Sequence, residues 1–232
     1  MHDQEVARGR RALIKNTLVL AATMAVPSAA MSTPRRLTQR DLKPLSAPDA
    51  PATTLTEPAF SARVVRPELF RQAYAALQRH GSRIPNRDRM AIVDFTAGSN
   101  QPRFHFVDLA SGRSQSLRVA HGSGSDPAHT GYLKRFSNDF GSNASSEGAF
   151  LTDDYYVGRH GRSQRLIGLD PTNNNALDRA IVIHSAWYAN EDMLRTHGML
   201  GRSQGCFAVG ENDLDQVFAR LGQGRMIYAA KV

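Results

Sequence analysis

Cysteine is nearly absent from this 232-residue sequence; the single one, Cys206, stands in "GRSQGCFAV". One thiol cannot close an internal disulfide, so the fold has to rest on its own core. Long hydrophobic runs are missing too. The apolar stretch from Thr17 to Val26 falls far short of the roughly 20 residues that span a bilayer, which argues against a permanent membrane anchor. Zinc-type Cys/His spacing is lacking, as is a glycine-rich phosphate loop opening a helix, so no metal and no nucleotide cofactor is expected. There is no internal repeat. The 29 Lys and Arg outnumber the 21 Asp and Glu to give +8, but the basic residues are scattered. Without an aromatic-interleaved basic stripe, nucleic acid is not the expected partner.

At the N-terminus, "RGRRALIKNTLVLAATMAVPSAAMS" sets Arg8, Arg10, Arg11 and Lys15 ahead of the apolar run and Ser28, Ala29 and Ala30 behind it. That is the order of an export signal, so residues 1–30 are expected to be a signal peptide cleaved near Ala30. The route is Sec or, given Arg10 and Arg11, twin-arginine export. Its removal leaves 25 basic against 19 acidic residues, or +6. Export leads to the periplasm or the cell wall, where the wall itself is the polyanion. Residues 31–62, rich in Pro, Ala, Ser and Thr, show no apolar period and read as a flexible linker. Residues 63–232 are long enough for one domain with a full core.

Within that domain, "RPELFRQAYAALQRHG" brings Leu69, Phe70, Ala73, Tyr74 and Leu77 to one helical face, with Pro67 in the first turn and Gly81 as a stop. From Met90 onward the texture is β: "MAIVDF", "RFHFVDL", "QSLRVAHG", "GAFLTDDYYVG", "QRLIGLD" and "RAIVIHSA" alternate with polar turns. "DLASGRSQSL" reads as a hairpin. A second helix is expected in "ENDLDQVFARLGQG", burying Leu214, Val217, Phe218 and Leu221 and ending at Gly222, before a last strand "RMIYAA". The fold class is therefore mainly β with a few helices.

A lone cysteine is most often a small buried hydrophobe. The setting of Cys206 speaks against that reading, because "SQGC" is a tight polar turn and Gly205 removes bulk beside the sulfur. A thiol nucleophile needs a base or a positive charge nearby, since its ordinary pKa leaves only a few per cent thiolate at pH 7. His184 ends the apolar run "RAIVIHSAWY", typical of a strand buried on both faces, and is the best candidate. His121 in "VAHGSGSD" is the competitor; His80, His105, His160 and His197 sit in more polar surroundings.

Taken together, "RAIVIHSAWY" and "GRSQGC" resemble the His and Ser-x-Gly-Cys motifs of the L,D-transpeptidases, in the branch known as the murein L,D-transpeptidase catalytic domain (YkuD-like). The likeness runs from about residue 68 to the C-terminus through "VDF", "PRFHFVDL", "VAHGSGS", "FSNDFGSNASSEGAF", "YYVGRHGRSQRLIGL" and "NNNALDRAIVIH". It implies a β-sandwich or open barrel and a cysteine acyltransferase acting on peptidoglycan stem peptides as donor and acceptor, with no cofactor. By the same resemblance, Cys206 is the nucleophile, His184 the general base and the backbone carbonyl of Ser185 the group that orients the imidazole. Amides of Gln204, Gly205 and Cys206 form the oxyanion hole. Ser203, Arg202, Ser145, Ser146, His121, Tyr156 and Trp187 are the candidate substrate-binding residues, while Asp178 and Arg179 read as a surface pair.

Two positions depart from the family pattern. Gln204 stands where the commoner signature has histidine, and Phe207 where the closest branch has proline. Both leave nucleophile and base in place but bear on substrate contacts around the turn. Two other functions remain open: an L,D-carboxypeptidase or endopeptidase in which water resolves the same thioester, and a non-catalytic wall-binding module.

Overall fold

The computed structural model describes residues 64–232 and the backbone of a two-residue strand, Arg36–Leu37 (β1). The expected signal peptide lies outside the described residues, as does most of the expected linker. Within that linker, however, β1 pairs antiparallel with Tyr155 and Tyr156.

Helix α1, Pro67–Arg79, starts with proline at its first turn, where a missing N–H costs nothing. Leu69, Phe70, Ala73, Ala76 and Leu77 are its buried residues. Tyr74, expected on that face, is 38% exposed and stacks on Phe70 at the helix rim, with Ala76 facing the core instead.

Eight further strands follow: β2 (Arg89–Asp94), β3 (Phe104–Asp108), β4 (Ser114–Leu117), β5 (Gly148–Gly158), β6 (Gly161–Gly168), β7 (Val182–Ser185), β8 (Phe207–Val209) and β9 (Met226–Ala230). They form one sheet in the order β4-β3-β2-β9-β5-β6-β7-β8, with β1 beside β5. The β3–β4 hairpin is where the sequence suggests it, its turn held by the Asp108 carboxylate, which accepts the amides of Ala110 and Ser111. Beyond β4 the chain crosses to the other end of the sheet, and the Ala120 N–H donates to the Ala208 carbonyl of β8 at 2.8 Å. The two edges of the sheet therefore meet there, and the sheet curls into an incompletely closed barrel.

Strand periodicity explains the two cores. Along β2, Ala91 and Val93 face the main core with Phe104, Phe150, Ile183 and Phe207, while Met90 and Ile92 face α1. Both faces of β2 are covered, hence the unbroken apolar "MAIV". Helix α3, Leu214–Leu221, contributes Leu214, Val217, Phe218 and Leu221 to the main core and stops at Gly222. Helix α2, Glu191–His197, buries no residue, so no apolar period announces it in the sequence.

Candidate active site

Strands β7 and β8 are parallel, with Ile183 beside Phe207 and His184 beside Ala208. Ile183 and Phe207 both point into the main core. Side chains alternate along a strand, so His184 and Cys206, each one position away from a core residue, turn to the opposite face as diagonal neighbours.

His184 is 1% exposed. Its Nδ1 lies 2.9 Å from the carbonyl oxygen of Ser185, the hydrogen bond that the resemblance implies. A carbonyl only accepts, so Nδ1 carries the proton and Nε2 of the neutral ring keeps its lone pair. Burial pulls the imidazole pKa down, the Ser185 hydrogen bond opposes this, and the neighbouring His160 lowers it further.

Cys206 is 9% exposed, and its S–H donates to the Ala180 carbonyl at 3.5 Å. Burial pushes the thiol pKa up; the backbone N–H of Val182 and the charge of Arg179 act the other way. Burial thus acts against the charged form of both groups.

The turn before Cys206 is fixed by Ser203, whose hydroxyl donates to the Cys206 carbonyl at 2.7 Å and accepts the Gly205 N–H at 3.1 Å. Gly205 has φ +111°, and a Cβ there would stand 2.7 Å from the Ala144 carbonyl oxygen and 2.8 Å from Ile181 Cδ1. Only glycine meets both demands. The Gly205 amide, one of the expected oxyanion donors, is thus engaged inside the turn in this structure. The Ser203 hydroxyl is committed to the same turn and is not a free substrate contact.

A cavity of ≈ 650 Å³ opens on this face, bordered by Cys206, His184, Gln204, Tyr156, Tyr188 and Phe140 among others. Arg159, Arg179 and Arg202 also line it, against one carboxylate, Asp178. Tyr156 carries the Arg165 guanidinium 4.2 Å above its ring. Arg202 reaches the cavity wall while donating to the carbonyls of Asp126 and Pro127.

The other expected substrate residues lie elsewhere. Ser145 and Ser146 are each 1% exposed. The Ser145 hydroxyl accepts the Gly122 N–H, and that of Ser146 donates to the Ser137 carbonyl and accepts from Arg179. They hold the loop behind the cavity, since buried hydroxyls in a polar run satisfy the backbone before they meet a ligand. His121, also 1% exposed, accepts at Nδ1 from Arg103 at 2.8 Å and turns Nε2 toward Asp126 at 3.4 Å. It belongs to a buried polar triad and does not border the cavity. Trp187 is 67% exposed outside the cavity, packed edge-on against Tyr188.

Three residues at the site are not among the expected site residues. Tyr188 borders the cavity beside β7. His160, at the β5–β6 turn, stacks on His184. Arg179, read from sequence as half of a surface pair, instead reaches into the loop that backs the cavity.

The model of the L,D-transpeptidase catalytic domain matches residues 61–230, and the chain belongs to that family. Such enzymes act on the peptides of peptidoglycan. Among solved structures, an L,D-transpeptidase from Mycobacterium smegmatis is 10% identical, with 62% of this chain and 58% of that chain aligned at a TM-score of 0.38. The helical cell shape determining protein Pgp2 from Campylobacter jejuni is 12% identical, with 69% and 55% aligned at a TM-score of 0.39. The alignments thus span between half and three-fifths of those chains. No curated protein matches. Among the described residues, no helix is long and apolar enough to cross a membrane.

Proposed function

We propose that the chain is a peptidoglycan L,D-transpeptidase that works through a thioester on Cys206. The observation that carries this reading is the pairing of a thiol and an oriented imidazole, with its Nε2 lone pair free to take a proton, on one sheet face opening into a basic cavity. The cavity's arginines suit the carboxylates of stem peptides.

In the first half-reaction the S–H leaves the Ala180 carbonyl and turns toward His184, whose Nε2 takes the proton as sulfur bonds to the donor's carbonyl carbon. Amides of Gln204 and Cys206 are the remaining donors proposed for the developing oxyanion, worth about 10²- to 10³-fold each. Collapse of the intermediate breaks the C–N bond, and His184 returns the proton to the departing amine. In the second half, an acceptor amine attacks the thioester, His184 takes its proton, the C–S bond breaks with the peptide cross-link formed, and the proton passes back to the departing sulfur. The Nδ1–H···O bond to Ser185 suits this sequence, because it leaves Nε2 as the atom that takes the proton.

Since the family's substrate is the wall, the protein acts outside the cytoplasm on this reading, with residues 1–30 as the export signal, 31–62 as a tether and 63–232 as the catalytic domain. The test is mass spectrometry of peptidoglycan fragments incubated with wild type and with Cys206→Ala. Cross-linked dimers formed only by wild type support transfer. Shortened monomers alone would make the protein a hydrolase, and identical products from both proteins would make it a binding module.

A further inference from the structure

We infer that Arg179 is a positioning residue for the nucleophile, its guanidinium supplying the fixed positive charge against which the Cys206 thiolate forms. The inference deepens the reading of Cys206 as nucleophile and rests on it for its catalytic meaning.

The argument starts from how the cation is held. Nη1 donates to the Ser137 carbonyl at 2.9 Å and the Ser146 hydroxyl at 2.6 Å; Nη2 donates to the Ser142 hydroxyl at 3.1 Å and the Ala144 carbonyl at 2.7 Å. All four partners are neutral oxygens from one loop. They lock the planar fork in place without cancelling its charge. Among the described residues no carboxylate forms an ion pair with Arg179, and Asp139 acts on it only at longer range. A partly buried cation held by neutral dipoles, with no carboxylate in contact, gains from any anion that appears beside it. The sulfur is such a group, and the attraction is mutual: Arg179 favours the ionised thiol and Cys206 favours the charged guanidinium.

The same short segment serves both states of the sulfur. The Ala180 carbonyl accepts the S–H, and the Val182 N–H faces the sulfur as a donor that the thiolate uses best. Ala180 holds its carbonyl there at φ +53°, a left-handed conformation that alanine adopts at a cost. Strain of this kind, at a residue touching the candidate nucleophile, is what a site built to hold that sulfur would retain. The turn at Gly205 closes the arrangement, since a Cβ there would lie 3.3 Å from Arg179 Nη2.

Cys206 is the only cysteine in the chain, so alkylation by iodoacetamide reads this site alone. Other ionisable groups on the cavity are His184, Tyr188, Tyr156, His160, Arg159, Asp178 and Arg202, with Asp139 acting on Arg179 from further off, and all stay unchanged in the variants compared. The experiment follows alkylation rate against pH for wild type, Arg179→Gln, Arg179→Lys and the double variant Ser142→Ala/Ser146→Ala. The expected result is an alkylation midpoint about one pH unit higher in Arg179→Gln, hence about tenfold slower labelling at neutral pH. The lysine variant, which keeps the charge, and the serine variant, which keeps the charge but loses two tethers, retain the wild-type midpoint. An unchanged midpoint in Arg179→Gln overturns the inference, and so does an equal shift in all three variants, which would make Arg179 a tether only. If Arg179→Gln does not fold, Arg179→Met is read in its place: a midpoint raised by about one pH unit upholds the inference and a wild-type midpoint overturns it. Loss of cross-linking in Cys206→Ala is scored separately, so a failure of the transpeptidase reading is distinguishable from a failure of this one.

Discussion

The imidazole of His160 lies on that of His184, ring centroids 4.4 Å apart and planes 24° from parallel. The outer ring, at the tip of the β5–β6 turn, caps the inner one, and its charge adds to the effect of burial in lowering the His184 pKa. A general base works while neutral, so activity should fall only as pH drops through this lowered pKa, below the ordinary histidine value of 6.5. His160→Ala admits water and should move the acid limb of the pH–rate profile up by as much as about one unit. His160→Phe keeps the cover but loses the charge, and should move the limb up by less than alanine does. Profiles that coincide for wild type and His160→Ala would show that the stack does not tune the base.

The nucleophile turn depends on Gly205. Alanine there would hold a left-handed φ and press on the Ala144 carbonyl, strain of about 1–3 kcal/mol. Gly205→Ala should lower the melting temperature by several degrees and slow Cys206 chemistry by about 10²-fold, because a small displacement of a reacting atom is expensive. Thermal unfolding and alkylation rate check both. A variant with wild-type values of each would mean that the turn relaxes freely.

His121 makes stability depend on pH. Burial and the Arg103 charge bring its pKa to about 4, against 6.5 for a free histidine, with Asp126 pulling the other way. The unfolded chain then binds the extra proton between those values. The contribution is complete above about pH 6.5 and is lost as pH falls toward 4, amounting to about 3 kcal/mol. His121→Gln, which cannot be protonated, should flatten urea midpoints across that window. An unaltered slope would assign the acid sensitivity to other groups.

What the sequence made legible followed its periodic elements. The continuous apolar run before His184 signalled a doubly covered strand, and the structure shows β7 between β6 and β8 with Ile183 in the core. Leu214, Val217, Phe218 and Leu221 share a helical face in both readings. Contacts between distant loops left no local trace. Arg179 sits in the polar turn "NNNALDR", whose composition says surface, yet its partners lie 33 to 42 residues away. Ser145 and Ser146 sit in a run that looks solvated, but unpaired backbone groups and Arg179 draw their hydroxyls inward. His160 earns its place only through the β5–β6 register, which sequence alone does not specify.

The central claim is that Cys206 becomes acylated by a stem-peptide donor. Intact-protein mass spectrometry after brief incubation with a tetrapeptide stem and an acid quench tests it most directly. The account predicts an adduct equal to the donor acyl group on wild type, absent from Cys206→Ala and strongly reduced in His184→Ala. An unmodified wild-type protein alongside donor turnover that persists in Cys206→Ala would contradict it.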